Sequence, residues 1–513
     1  MGIAKNIIKN TSFAFITSVV EMGISFFVSI TLTRGLGTEQ YGLYSYTLWL
    51  LGLTSIATNL GLGEMVRRFI PESIGRKNPE ETVGYVQTSI LFRSIAAVIV
   101  FVGILASSSF WIRQTDNAGD QVIFLIVAIT IIPNTIQYSL IAILKGFQRF
   151  DYALYMTLAM YPLRLILIII FMTLGFGVFE ILLLNIGTFI LGIIIGIFFL
   201  GRLISYRALF SRSILPRGRQ KQIWKYSLTV TGIIVLQYLV SQQVAVFIIG
   251  LYCPVDEVGF YTLAFRMAAL FSLFPSAFAY VLLPIFSEQY GSGDKELLGK
   301  VYITSSRFLV MVALPLAVGG IALANPIVTL IYGAEYQATI ILFQIICLPM
   351  ALINLNGPAD SVIRGINRPG FILVVQVFCA IINIGLSFWL VPMIGILGAV
   401  IAFSTLSIII LPANLIFIRN TVGASWPIRD TLKAIIGSIL MGAIIYGIQT
   451  QLNNALSLII CIPLGIIIYF VIILTLKYIH EEDLVILRNV LESLPERLKT
   501  PFFRIIGFIE KFM

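Results

Sequence analysis

The chain has 513 residues, 58% of them apolar and 11% charged, with a net charge of +10. A soluble globular chain carries about 25% charged residues. With a mean hydropathy of +0.98, this one has too little polar surface for a water-exposed fold of its size, so a soluble enzyme is excluded first. The single histidine, His480, supplies neither a histidine-based zinc site nor a Ser-His-Asp triad. Cys253, Cys347, Cys379 and Cys461 lie far apart with no CxxC pair, which points to no disulfide framework and no metal site.

A bilayer-crossing helix takes about 20 mostly apolar residues. Fourteen such stretches follow one another, numbered here as spans 1–14: 10–33, 41–63, 83–108, 121–143, 151–174, 178–201, 224–251, 259–283, 301–324, 338–360, 370–391, 396–418, 431–450 and 455–476. They are rich in Ile, Leu, Val and Phe without period-two alternation, which argues for helices over a β-barrel. Span 1 is too long for a signal-peptide core and ends at Arg34 without a small-residue cleavage site, so it is expected to be retained. The fold class is therefore an all-α integral membrane protein.

Charge placement orients the spans. Positive residues concentrate on the cytoplasmic side of membrane proteins. With both termini inside, Lys5, Lys9, the loops at 67–77, 145–149, 295–300, 364–368 and 419–433, the segment 202–225 and the tail hold 28 of the 34 cations. Arg34 and Arg113 fall on the other side, and four arginines remain inside spans. The excess charge thus reads as a topological label on a plasma-membrane protein, and no nucleic acid is needed to explain it.

An internal repeat emerges at a nearly constant shift. EQYGLY (39–44) matches DEVGFY (256–261) at 217, KGFQR (145–149) matches RGINR (364–368) at 219, and Pro133 matches Pro349 at 216. The expected organisation is an N-terminal six-helix lobe (1–201), a basic cytoplasmic linker (202–223), a C-terminal six-helix lobe (224–418), spans 13–14 (419–476) and a tail (477–513). An even span number gives both lobes one orientation, and such repeats place their site where the halves meet. The tail's end, PFFRIIGFIEKFM (501–513), suits either an interfacial helix or a contact with the protein's own loops.

RGLGTEQYGLYSYT (34–47), IYGAEYQATI (331–340), RGINRPG (364–370) and VPMIGILGAVIA (391–402) resemble the loop signatures of Wzx-like flippases. These form the polysaccharide branch of the multidrug/oligosaccharidyl-lipid/polysaccharide exporter superfamily, and the resemblance covers residues 1–476. It implies a V-shaped arrangement of six, six and two helices, alternating access and a central cavity lined largely by spans 1, 2, 7 and 8. The implied substrate is a polyprenyl-diphosphate-linked oligosaccharide, carried from the cytoplasmic to the outer leaflet. The expected partners are that substrate, membrane lipids, and a glycan polymerase or glycosyltransferases; a monomer without cofactor or metal is expected.

The embedded polar residues are the candidates for chemistry. A charge at the bilayer centre costs about 2.5–3.5 kcal/mol on insertion scales, so it normally faces a wet cavity or a partner. Arg93 (span 3), Arg164 (span 5), Arg266 (span 8) and Arg307 (span 9) are the four arginines. Arg266 is the leading cavity candidate. Arg93 and Arg164 suit ligand binding or a helix–helix clamp, and Arg307, two turns from the cytoplasmic end, suits snorkelling. Guanidinium offers paired donors that stay charged, which fits a diphosphate. Glu21 in span 1 suits pairing with an arginine or a cation- or proton-coupling role, while Gln237, Gln242 and Gln243 suit sugar hydroxyls or interhelical bonding. Glu64 and Asp360 sit at cytoplasmic span ends, near Arg67 and Arg364.

No G-x-x-x-x-G-K-[ST] loop occurs, so transport is not driven by ATP bound to this chain. An interior-negative potential favours outward movement of an anion by about 2.3 kcal/mol per charge per 100 mV. The reading is a non-enzymatic lipid-linked oligosaccharide flippase. The alternative in the same superfamily is a multidrug or cation antiporter, whose cavity would want embedded acid rather than arginine; a scaffold with an inactive transport fold is the third.

Overall fold

The computed structural model describes residues 2–107, 120–210, 215, 217–272, 295–366 and 368–480, with positions 275, 278, 282, 286, 289 and 290. Those residues form helices and no strand. In hydrocarbon every backbone N–H and C=O must find a partner within the chain, and a helix supplies all of them locally. Twelve helices among the described residues are long and apolar enough to cross a membrane. The first, Ser12–Asn59, contains spans 1 and 2, divided by a kink at Gly37 where φ is 75°. Span 7 is split into Arg217–Val240 and Gln243–Tyr252, and span 8 begins in the helix Val255–Ala269. The end of the tail, 481–513, lies outside the described residues.

Five of the span prolines leave their helices unbroken. Pro133, Pro162, Pro315, Pro349 and Pro412 all lie inside continuous helices. Proline removes one ladder bond, whereas a left-handed residue redirects the chain. The chain turns instead at Gly37, at Leu60–Gly61 (φ 48° and 65°) and at Ser241–Gln242.

The repeat is visible in the backbone itself. In the first copy Phe147 N donates to Ile143 O, Arg149 N to Leu144 O, and Tyr152 N to Arg149 O. In the second, Ile366 N donates to Val362 O, Arg368 N to Ile363 O, and Phe371 N to Arg368 O. All three bonds recur at a shift of 219. In the first copy Arg149 also forks onto Asp151, with Nε 2.9 Å from Oδ1 and Nη2 2.8 Å from Oδ2. These hydrogen bonds hold the Arg149 pKa above its ordinary value.

The chain folds as two compact units, residues 1–263 with 383–399, and residues 264–382 with 400–513. The basic segment 202–223 falls inside the first. There Gln87 Nε2 donates to Leu209 O at 2.9 Å, and Arg219 reaches Glu81 at 3.6 Å. Leu62, Met65, Phe69, Val86 and Ile143 centre a core in this unit. Phe286, Tyr302, Val362, Ile363 and Ile418 centre one in the second. Large aliphatic side chains also point outward, Ile408 at 68% exposure and Ile459 at 70%. That would be costly in water and is what a lipid solvent requires.

Two glycines singled out by the repeat meet in the first unit. A Cβ on Gly259 would lie 3.1 Å from Gly42 Cα, and one on Gly42 would fall on the Val255 carbonyl. The matched residues Gly42 and Gly259 thus form a close helix crossing, of the kind small residues permit between membrane helices. Tyr44 and Tyr261, the matched tyrosines, are both fully buried.

Candidate functional site

In the first unit, polar side chains gather around span 5. Glu21, midway along span 1, accepts a hydrogen bond from Thr157 Oγ1 at 3.3 Å. Two turns further along span 5, Arg164 Nη2 donates to Tyr44 Oη at 3.0 Å. Both contacts arise because span 5 packs along spans 1 and 2, and the spacing of seven residues puts Thr157 and Arg164 on one helix face. Glu21 therefore bonds a hydroxyl rather than an arginine, and Lys145 is the cation whose field reaches it. Tyr138 and Tyr161 lie in the fields of both Glu21 and Arg164. Arg164 clamps two spans with one nitrogen while its Nε has no protein acceptor.

Arg93 stands apart from that group. It is 4% exposed, packed against the Leu62–Gly75 helix, with Nε and Nη1 lacking acceptors. It lies beside Gly63, where a Cβ would make an ordinary contact 3.8 Å from Nη1. The nearby Arg67 pairs with Glu64 at 2.6 Å, as their spacing suggests.

The glutamines of span 7 mark a helix break. Gln237 is exposed, Gln242 precedes the short helix Gln243–Tyr252 without a side-chain cap, and the Gln243 carbonyl accepts from Trp49 Nε1 at 2.8 Å. Freed backbone groups at a break need substitutes. Asn383 supplies them, its Nδ2 lying 3.2 Å from Leu239 O and 3.4 Å from Ser241 O. Sequence reasoning passed over Asn383; the signal was a carboxamide, one of two with Gln376, in the otherwise apolar span 11.

In the second unit, Arg266 is half-buried near the end of the helix Val255–Ala269. Arg307 is 6% exposed, and its Nη1 lies 2.7 Å from His480 Nδ1. Snorkelling would place its head in water; here it meets a side chain instead. Arginine only donates, so Nδ1 is the acceptor and Nε2 carries the hydrogen. Nε2 lies 3.4 Å from Asp430 Oδ1, and Tyr478 Oη donates to the Arg307 carbonyl at 2.6 Å. The segment after span 14 is thereby stapled to spans 9 and 13. Asp360 joins a carboxamide cluster, with Asn414 Nδ2 3.1 Å from Asp360 Oδ1 and 3.0 Å from Asn356 Oδ1.

Among the described residues the arrangement offers guanidinium donors, carboxamides and tyrosines inside apolar helices, with the Glu21 carboxylate in span 1 bonded to a hydroxyl. A family model of polysaccharide biosynthesis proteins matches residues 31–341. The chain belongs to that family. Within the multidrug/oligosaccharidyl-lipid/polysaccharide exporter superfamily it is Wzx-like, a multi-pass membrane protein. It is 22% identical over 494 residues to a probable low-salt glycan biosynthesis flippase, Agl15, of Haloferax volcanii, covering 94% of this chain and 98% of that one. Its fold is similar to that of the lipid II flippase MurJ in an inward closed conformation, with a TM-score of 0.72, 17% identity, and 91% and 98% of the two chains covered. It is also similar to an inward-facing multidrug resistance MATE transporter, with a TM-score of 0.65, 18% identity, and 78% and 94% covered.

Proposed function

We propose that this protein is a flippase of glycan biosynthesis that carries a polyprenyl-diphosphate-linked oligosaccharide from the cytoplasmic to the outer leaflet of the plasma membrane. The observation that carries the reading is the sign of the embedded charge. Arg93 and Arg164 keep guanidinium donors without protein acceptors, whereas Glu21, the acid midway along span 1, accepts a hydrogen bond from Thr157. An anionic headgroup supplies the acceptors those donors lack and recovers part of the hydration it loses. Alternating access through a cationic central cavity is the proposed mechanism, with Arg266 its principal contact. Gln237 and Gln242 offer hydrogen bonds to the sugar, and the lipid tail remains in the bilayer.

A cation antiporter is the second reading, favoured by the likeness to the MATE transporter and by Glu21 in span 1. Gene deletion separates the two. The flippase reading predicts accumulation of a cytoplasm-facing lipid-linked saccharide with normal drug resistance. Drug hypersensitivity with normal surface glycan would establish the antiporter instead. Arg266→Ala should abolish glycan export while the protein still inserts and folds; wild-type export by that variant would remove Arg266 from the pathway.

A further inference from the structure

Spans 13 and 14 stand outside the duplication, and in the second unit they help to enclose a polar pocket of about 340 Å³. That volume falls within the ~300–1,000 Å³ of small-molecule sites. Asn325, Gln344, Tyr446, Gln449, Thr450 and Asn454 supply the polar lining. No acidic or basic side chain stands among the lining residues. Four carboxamides and two hydroxyls each both donate and accept. Two are held in position: Gln344 Nε2 donates to Ile321 O at 3.2 Å, and Asn454 Nδ2 to Thr329 Oγ1 at 2.7 Å. Each anchored amide keeps its carbonyl oxygen as an acceptor. Tyr446 is 56% exposed, which leaves a ring face available for stacking.

The composition of this lining selects its ligand. A phosphate or carboxylate would want cations, and an amine would want acids or an aromatic cage. An apolar ligand would leave the carboxamides unpaired, at a cost. A saccharide suits it, because hydroxyls match two-way hydrogen-bonding groups and a sugar's C–H face matches an aromatic ring. The pocket lies at the ends of spans 9, 10, 13 and 14 remote from the cationic loops at 295–300 and 364–368, which the positive-inside rule assigns to the outer face. We propose that this pocket is an outward-facing binding site for an uncharged saccharide. The outward assignment rests on the flippase orientation above, while the ligand class rests on the lining alone.

The test is saturation-transfer NMR on the full chain in lipid nanodiscs, with glucose, galactose, mannose, N-acetylglucosamine and N-acetylgalactosamine as probes. A saturable signal is expected with at least one of them. Gln344→Leu and Thr450→Val should each weaken it roughly tenfold, the scale of about 1.4 kcal/mol for one lost hydrogen-bonding group. Size-exclusion profiles and helical circular dichroism check that the variants fold, and Thr450 is exposed, so its replacement disturbs no core. Arg266→Ala should leave the signal unchanged, so that loss of transport and loss of this site are read separately. No saturable binding of any probe, or binding untouched by both pocket variants, overturns the proposal. A flipping assay then assigns the source. Slower flipping in Gln344→Leu means that the pocket receives the sugar of the carrier-linked substrate, and unchanged flipping means that it holds free glycan at the surface.

Discussion

Replacing Gly42 with alanine inserts one methyl group where two helices touch. Its Cβ would lie 2.7 Å from the Val255 carbonyl carbon and 2.8 Å from Asp256 Cα, both backbone atoms, against 3.4 Å for ordinary contact. No side chain can rotate away, and the Val255 carbonyl oxygen stands closer still, so the helices must separate by more than about 0.7 Å at the crossing. Overpacking of this kind costs about 1–3 kcal/mol. All three contacts are with backbone under 3.0 Å, which puts the cost in the upper part of that range; alanine's helix propensity returns about 1 kcal/mol, so Gly42→Ala should destabilise by about 1–2 kcal/mol. Gly259→Ala meets the same crossing from the other side at 3.1–3.2 Å. There the propensity gain nearly offsets the strain, so its effect should be close to zero. Detergent-solubilised protein unfolded by heat or SDS, followed by tryptophan fluorescence, reads the order directly. A Gly42→Ala variant as stable as wild type, or less affected than Gly259→Ala, would refute the crossing.

Three further outcomes follow from the described contacts. His480→Ala should destabilise by about 1–3 kcal/mol, since a buried donor of Arg307 loses its acceptor; His480→Gln, which keeps an acceptor, should recover part of this in the same unfolding assay. Asn383→Leu should release the carbonyls of Leu239 and Ser241 and cost a similar amount, seen as faster hydrogen exchange around residues 239–243. Burial, aided by Glu257, pushes the Cys253 thiol up to about 12. It is therefore neutral below that pH, and its maleimide labelling should be about a thousandfold slower at pH 7 than that of a free thiol with pKa near 8.5, rising about tenfold per pH unit. Rapid, pH-independent labelling would contradict the buried placement.

The span pattern was legible because apolar length and charge placement are local sums that the bilayer enforces. The repeat was legible for a related reason: KGFQR and RGINR make the same turn with the same three backbone bonds. The breaks were harder to read: left-handed conformations at Gly37, Leu60 and Gly61 and the helix break at Ser241–Gln242 are set by the backbone, and no residue pattern marks them. Side-chain partnership was harder still. His480 lies 173 positions from Arg307, and nothing in the spacing joins them. Glu21 was weighed as an arginine's partner, but span 5 presents Thr157 to it and turns Arg164 toward Tyr44. Which residue faces which is set by helix rotation, and an apolar stripe that is apolar all round, as lipid demands, carries little information about rotation.

The central claim is leaflet-to-leaflet movement of a lipid-linked glycan, and reconstitution tests it most directly. Purified protein in sealed proteoliposomes, supplied with a fluorescent polyprenyl-diphosphate-linked saccharide, is probed with a membrane-impermeant glycan-cleaving enzyme added outside. The account predicts that the protected inner-leaflet half becomes accessible with wild-type protein, faster under a membrane potential negative on the side from which the lipid departs, and stays protected with Arg266→Ala. Protection that persists with folded wild-type protein, while the same vesicles exchange a cationic drug for protons or sodium, would contradict it.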